Sequence, residues 1–169
     1  MAKHEHTGKK ATWAGILLGI GMGGFVDGIV LHQIFQWHNM VSNWIPPTTM
    51  EAMSTNMLWD GLFHAFVWLI TLGGVLMLWS AAYQREPIPS LRALIGQLIL
   101  GWGLFNLIEG IINHQILAVH YVRQVPNYTV YNWTFLAIGG VLFILAGWML
   151  MKAGKRDVAA ANVSDTHKG

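Results

Sequence analysis

Long apolar runs alternate with short polar connections along this chain. Four runs stand out, Ala11–Trp37, Met57–Trp79, Leu91–Val119 and Asn132–Met151, and each is long enough to cross the ~30 Å hydrocarbon layer as a helix. The first does not read as a cleaved leader, because Asp27 interrupts it and no small-residue cleavage site follows. Glu86-Pro87-Ile88-Pro89-Ser90 breaks the chain between the second and third runs, and Ser90 is placed to cap the helix that follows. The pattern predicts an all-α integral membrane four-helix bundle. It forms one membrane domain over 1–169, built of two helical hairpins, 11–80 and 91–151, with a mobile tail at 152–169.

Composition agrees, at 54% hydrophobic residues against 11% charged. The absence of cysteine excludes disulfides, thiolate zinc sites and iron–sulfur clusters, so any metal must be held by His, carboxylate, Met or backbone oxygen. A net charge of +2 is spread over short connections without a basic face, which argues against a nucleic-acid partner. Nine of the ten Lys and Arg lie in the two tails and the middle connection, leaving only Arg123 elsewhere. The positive-inside rule then puts both termini and the middle connection in the cytoplasm and the 38–56 and 120–131 loops outside. Trp13, Trp79 and Trp148 mark the inner borders; Trp37, Trp44, Trp59 and Trp133 mark the outer ones.

The first and third runs align without a gap in a single register, which matches Gly19 to Gly101, Gly21 to Gly103, Gly28 to Gly110, His32 to His114, Gln33 to Gln115 and His38 to His120. Asp27 falls opposite Glu109. The shared pattern is acid-Gly-x-x-x-His-Gln-x-x-x-x-His. The second and fourth runs align more weakly, through Gly73-Gly74-Val75-Leu76 and Gly139-Gly140-Val141-Leu142, which leaves Asp60 and His64 without counterparts. Hairpins that start and end on one side are parallel copies, related by a pseudo-two-fold axis along the membrane normal. The glycines predict close packing of the first and third helices at that axis.

Three acids (Asp27, Asp60, Glu109) and five histidines (His32, His38, His64, His114, His120) lie within or at the ends of the runs. Ionisable groups at such depth are expensive unless paired, and are functional candidates by default. At ~1.5 Å per residue, Asp60 falls about 6 Å below the outer surface, His32 about 9 Å, His64 about 12 Å and Asp27 about 16 Å. At ~100° per residue Asp27 and His38 share a face but stand about 16 Å apart, while His32 lies about 140° around from Asp27, so one straight helix cannot bring all three to one ion. Ligands must be pooled between helices. The level that collects most of them holds His32, His64 and His114, with Asp60 one turn from His64, Asp27 and Glu109 below, and His38 with His120 as an outer pair.

These ligands suit copper, iron or zinc. Met40, Met50, Met53 and Met57 hint at Cu(I), although the last three also fit the apolar stripe of a short surface helix after Pro46-Pro47, capped by Thr48 or Thr49. Ala2-Lys3-His4 would suit Cu(II) or Ni(II) only from the opposite side, and is read as accidental.

The stretches 27–33 with His38, 59–64, and 106–115 with His120 resemble a bacterial family of small predicted membrane proteins of unknown function. The resemblance implies a four-helix fold in the bacterial inner membrane, not an activity. In that family's pattern a second histidine often follows the terminal one of each repeat; here those positions are Asn39 and Tyr121.

The leading expectation is a membrane metal protein with one or two ions in the outer half of the bundle, in copper handling or redox chemistry. The alternatives are a b-type haem protein with His32 and His114 as axial ligands, a proton or ion transporter carrying on Asp27, Asp60 and Glu109, and a purely structural subunit. No nucleophile triad or phosphate loop appears, so no catalytic residue is assigned. Beyond the lipid bilayer, the expected partners are a second copy of the chain or a respiratory-chain protein.

Overall fold

The computed structural model describes residues 8–166; Ala2-Lys3-His4 and the last residues of the tail lie outside them. Four helices are long and apolar enough to cross a membrane: span one (Lys9–Ile34), span two (Met50–Tyr83), span three (Leu91–Ile116) and span four (Tyr128–Arg156). The last helix continues through Thr166, so the segment from Lys152, read as a mobile tail, is helical to that point. No strand occurs among the described residues.

Spans one and three form the centre; span two packs on span one and span four on span three. The central contact depends on glycine. A Cβ at Gly19 would run into the Leu98 carbonyl, and one at Gly101 into the carbonyl of Ile16. Without a solvent-driven hydrophobic force between helices in lipid, such backbone approach is what holds a helix pair together. The outer faces carry the aromatic border: Trp13, Trp44, Trp59, Trp79, Trp133 and Trp148 are all exposed, as ring systems at a membrane interface should be.

Two local features differ from the sequence reading. Thr49 caps span two through a hydrogen bond from the Ala52 amide, and the helix then runs unbroken from Met50 to Tyr83. The expected separate surface helix is therefore the first turns of the span itself. Ser90 caps span three as predicted, accepting from the Ala93 amide at 3.2 Å.

The second feature matters more. Spans one and three are α-helical only to Val26 and Glu109; Asp27–Ile34 and Gly110–Ile116 are wound as π-helix. Each π segment ends on matching bonds, Phe35 N–H to Val30 C=O and Leu117 N–H to Ile112 C=O. Beyond them the chain turns at Gln36 (φ 50°) and Ala118 (φ 46°), again equivalent positions of the repeat. A non-glycine residue held there costs on the order of 1–3 kcal/mol. The turns are fixed by bonds between the repeats: Asn43 N–H to Val119 C=O, Gln124 N–H to Trp37 C=O, and the Gln124 amide to the side chains of Ser42 and Asn43.

Candidate metal centre

The π winding places the acid and histidine of each repeat together. In an i→i+5 turn, residue i+5 sits one turn above residue i, whereas an α-helix leaves the two about 140° apart. Asp27 Oδ2 accordingly lies 3.1 Å from His32 Nε2, and Glu109 Oε1 lies 3.0 Å from His114 Nε2. The expectation of a separation of about 140° assumed α-helical pitch; π winding brings each acid to its histidine within one segment.

The left-handed turns then return His38 and His120 into the bundle. Both rings are buried, His120 completely, and they stack at 4.4 Å with 5° between their planes. Their partners cross between the repeats, His38 Nδ1 donating to the Val122 carbonyl and His120 Nδ1 to that of Met40, both at 2.8 Å. Since Met40 and Val122 are themselves equivalent positions of the repeat, the pseudo-two-fold axis passes between these two rings. A carbonyl can only accept, so Nδ1 carries a proton in both rings; the His38 Nε2 has no hydrogen-bond partner, whereas the His120 Nε2 lies 3.0 Å from Glu109 Oε1. Burial, followed by the neighbouring His120 and His32, holds His38 well below the ordinary histidine range and keeps that ring neutral.

His32 is fixed differently. Its Nδ1 bonds Asp60 Oδ1 at 2.9 Å, and Asp60 also accepts from the Asn39 side chain and the Met40 amide. With Nδ1–H given to Asp60, the ring turns its Nε2 toward Asp27 Oδ2. His120 Nε2 is likewise hydrogen-bonded to Glu109 Oε1 at 3.0 Å. Each of these nitrogen–oxygen pairs is held by a shared proton or by a metal ion, since two ligands at ~2.1 Å from one ion stand about 3.0–3.4 Å apart.

Two groups of ligand atoms could hold a metal ion: His32, His38 and His120, and Glu109, His114 and His120, the atoms of each group lying within 4.8 Å of one another. All five residues are buried, and Asp27 Oδ1, Glu109 Oε2, His32 Nε2, His38 Nε2 and both nitrogens of His114 have no hydrogen-bond partner. Of the eight residues singled out in the sequence, the structure gathers Asp27, His32, His38, Glu109, His114 and His120, with Asp60 immediately behind His32. His64 stands apart. Its Nδ1 bonds the Asp60 carbonyl at 2.7 Å, and its Nε2 lies against Gly28. The expected level of His32, His64 and His114 is therefore replaced by one built on His38 and His120, because the loops fold inward where a straight helix would have carried those two away. Gln33 and Gln115, although part of the repeated motif, are exposed.

Asp60 and His64 have counterparts after all. The Met40 amide donates to Asp60 as the Val122 amide donates to Asn132, and Phe63 packs on His32 as Phe135 packs on His114. Where His64 meets Gly28, Leu136 meets Gly110. These pairs share one register. Past the π-helical turns at Phe135–Leu142 that register slips by a single position, since Thr71 meets Gly21 as Ile144 meets Gly103. The alignment through the Gly-Gly-Val-Leu stretches is not the one the structure uses. Repeat one thus carries Asp60 and His64 where repeat two carries Asn132 and Leu136.

The model of a family of predicted membrane proteins, DUF2243, matches residues 14–154. The chain belongs to this family. That range takes in every residue of the centre, spans two and three whole and most of spans one and four, and the family is one of unknown function. No curated protein and no solved structure matches the chain.

Proposed function

We propose that this protein binds transition-metal ions at the pseudo-two-fold axis of its bundle, with one ion for each repeat. The observation that carries the reading is the orientation of His38 and His120: the Nδ1 of each ring is tied to a carbonyl of the opposite repeat, and its Nε2 aims at the shared centre. A hydrogen bond that fixes the tautomer and direction of an imidazole is the usual support of a metal ligand. In the proposed centre, Asp27, His32 and His38 serve one ion and Glu109, His114 and His120 the other, with Asp60 orienting His32. Nitrogen and carboxylate ligands without thiolate favour copper or iron, with zinc the redox-inert possibility. Of the four methionines near the loops, Met50, Met53 and Met57 are exposed and only Met40 is half-buried beside the centre, so the thioether argument for Cu(I) rests on Met40 alone; copper or iron redox chemistry is the role we prefer.

The charge distribution supports a centre near the outer face of a bacterial inner membrane with both termini in the cytoplasm. A bis-histidine haem fits less well, since His38 and His120 lie against His32 with ring centres at 4.3 and 5.7 Å and fill the space a porphyrin would need. The test is purification in mild detergent followed by elemental analysis and an absorption spectrum. Stoichiometric copper, iron or zinc without a Soret band is expected. A protein that holds no ion as purified and takes none up on reconstitution overturns the proposal.

A further inference from the structure

Two clefts flank the centre, and the repeat relates them. One, of about 340 Å³, lies between spans one, two and three and ends at Glu109 and Asn113. The other, of about 120 Å³, lies beside span four and ends at Asp27 and Leu31. Ile20, Phe105 and Ile108 of the first are the repeat equivalents of Trp102, Gly23 and Val26 of the second. The divergence between them is directional. Repeat two carries Asn113 where repeat one has Leu31, and the larger cleft is walled by Phe63, Phe66 and Phe105. Its mouth, edged by the exposed Phe66, Ile108 and Ile112, opens on the apolar surface of the bundle.

We infer that this larger cleft binds a lipid-soluble aromatic molecule bearing a ring hydroxyl, of the quinol class, drawn laterally from the bilayer. Three observations select that occupant. Its volume exceeds twice the ~150 Å³ of a cavity that accepts benzene, while the smaller cleft falls short of it. Its lining is apolar and aromatic with a few polar groups at one end, the ordinary make-up of a small-molecule site. The polar end of the cleft is the half-buried Asn113, whose amide Nδ2 lies 3.5 Å from Oε1 of the buried Glu109. An acyl chain filling the cleft would leave the Asn113 carboxamide oxygen facing hydrocarbon, whereas a ring hydroxyl donates to it. The inference goes beyond metal binding and does not require an ion.

Calorimetric titration of the full chain in lipid nanodiscs tests it, with decylubiquinol kept reduced as the ligand and its dimethyl ether, which lacks hydroxyl donors, as the comparison. Saturable binding at one quinol per chain is expected, with the ether about three- to ten-fold weaker, as for the loss of a neutral hydrogen bond. Ile108→Trp and Phe66→Trp, on opposite walls of the mouth, should each abolish binding, and Asn113→Leu should weaken it. All three should leave the metal content unchanged, so that failure here and failure of the metal reading are read on different instruments. Equal affinity for quinol and ether, heat without saturation, or undiminished binding in both tryptophan variants overturns the inference.

Discussion

Asp60→Asn tests the metal centre with the least disturbance, because the structure already contains its outcome in the other repeat. Asn132 occupies the equivalent place and accepts the Val122 amide through Oδ1 at 3.1 Å, as Asp60 accepts the Met40 amide at 2.7 Å. The Met40 bond therefore survives the substitution, while the Asn39 side-chain bond to Oδ2 is lost because the new amide presents a donor there. His32 Nδ1 in turn faces a neutral amide oxygen in place of a carboxylate at 2.9 Å. Removing the outer partner of a ligating imidazole weakens metal binding by about 10–100-fold, or roughly 1.4–2.7 kcal/mol at about 1.4 kcal/mol per factor of ten. Competition of the purified protein against a chelator of known affinity, with Cu(II) or Zn(II), measures this directly. His64→Leu copies Leu136 in the same way and should leave the affinity unchanged, since His64 Nδ1 is tied to the Asp60 carbonyl and its Nε2 lies against Gly28. Parent-like affinity in Asp60→Asn, or equal weakening in His64→Leu, would refute the role given to Asp60.

His120→Gln removes a ligand of the repeat-two ion, so elemental analysis should recover only the ion of repeat one. Stripping the ions with a chelator should lower the detergent unfolding temperature; at free metal a hundred times Kd the bound ion contributes about 2.7 kcal/mol, and a melting temperature insensitive to chelator would contradict the reading. Gly101→Leu forces a side chain into the Ile16 carbonyl and should destabilise the bundle by more than the ~1–3 kcal/mol of ordinary overpacking, because backbone cannot yield as a side chain can. Gly73→Ala meets nothing within 4 Å and should be neutral or stabilising by roughly 0.5–1 kcal/mol, as thermal unfolding of the two variants will show.

The four spans and the repeat of spans one and three were legible because both are written in residue type alone: runs of apolar side chains, and identities in register. The geometry of the centre was not, because it depends on helical pitch. A reading at ~100° per residue separates Asp27 from His32 and makes His64 a neighbour of His32 by depth; π winding reverses both conclusions. One signal was available in the sequence. An acid followed by glycine with histidine five residues on, present twice, fits the i→i+5 spacing and no α-helical one. The inward return of His38 and His120 left no comparable trace, since Gln36 and Ala118 adopt positive φ without being glycine. The register of spans two and four was hidden for a related reason. The π turns of span four insert a residue between matched positions, so no single separation aligns the pair, and the conspicuous Gly-Gly-Val-Leu stretches match only by composition.

The two halves of the centre are thus alike in their ligands and unlike in what stands behind them, and that difference can be put to use. His114 Nδ1 is buried without a hydrogen-bond partner, while its equivalent in His32 has Asp60. A ligand histidine lacking its outer acceptor is the weaker base, so the ion of repeat two should be the looser of the pair. Asn132→Asp puts a carboxylate at the position equivalent to Asp60 without changing the size of the side chain, and its Oδ1 keeps the Val122 amide. The ion that leaves first in a chelator titration should then tighten by about ten-fold or more, narrowing the gap between the two dissociation steps. Combined with Asp60→Asn, the order of release should invert. If the parent protein releases both ions in one step, and neither variant separates them, the repeats are energetically equivalent and the role assigned to Asp60 is wrong.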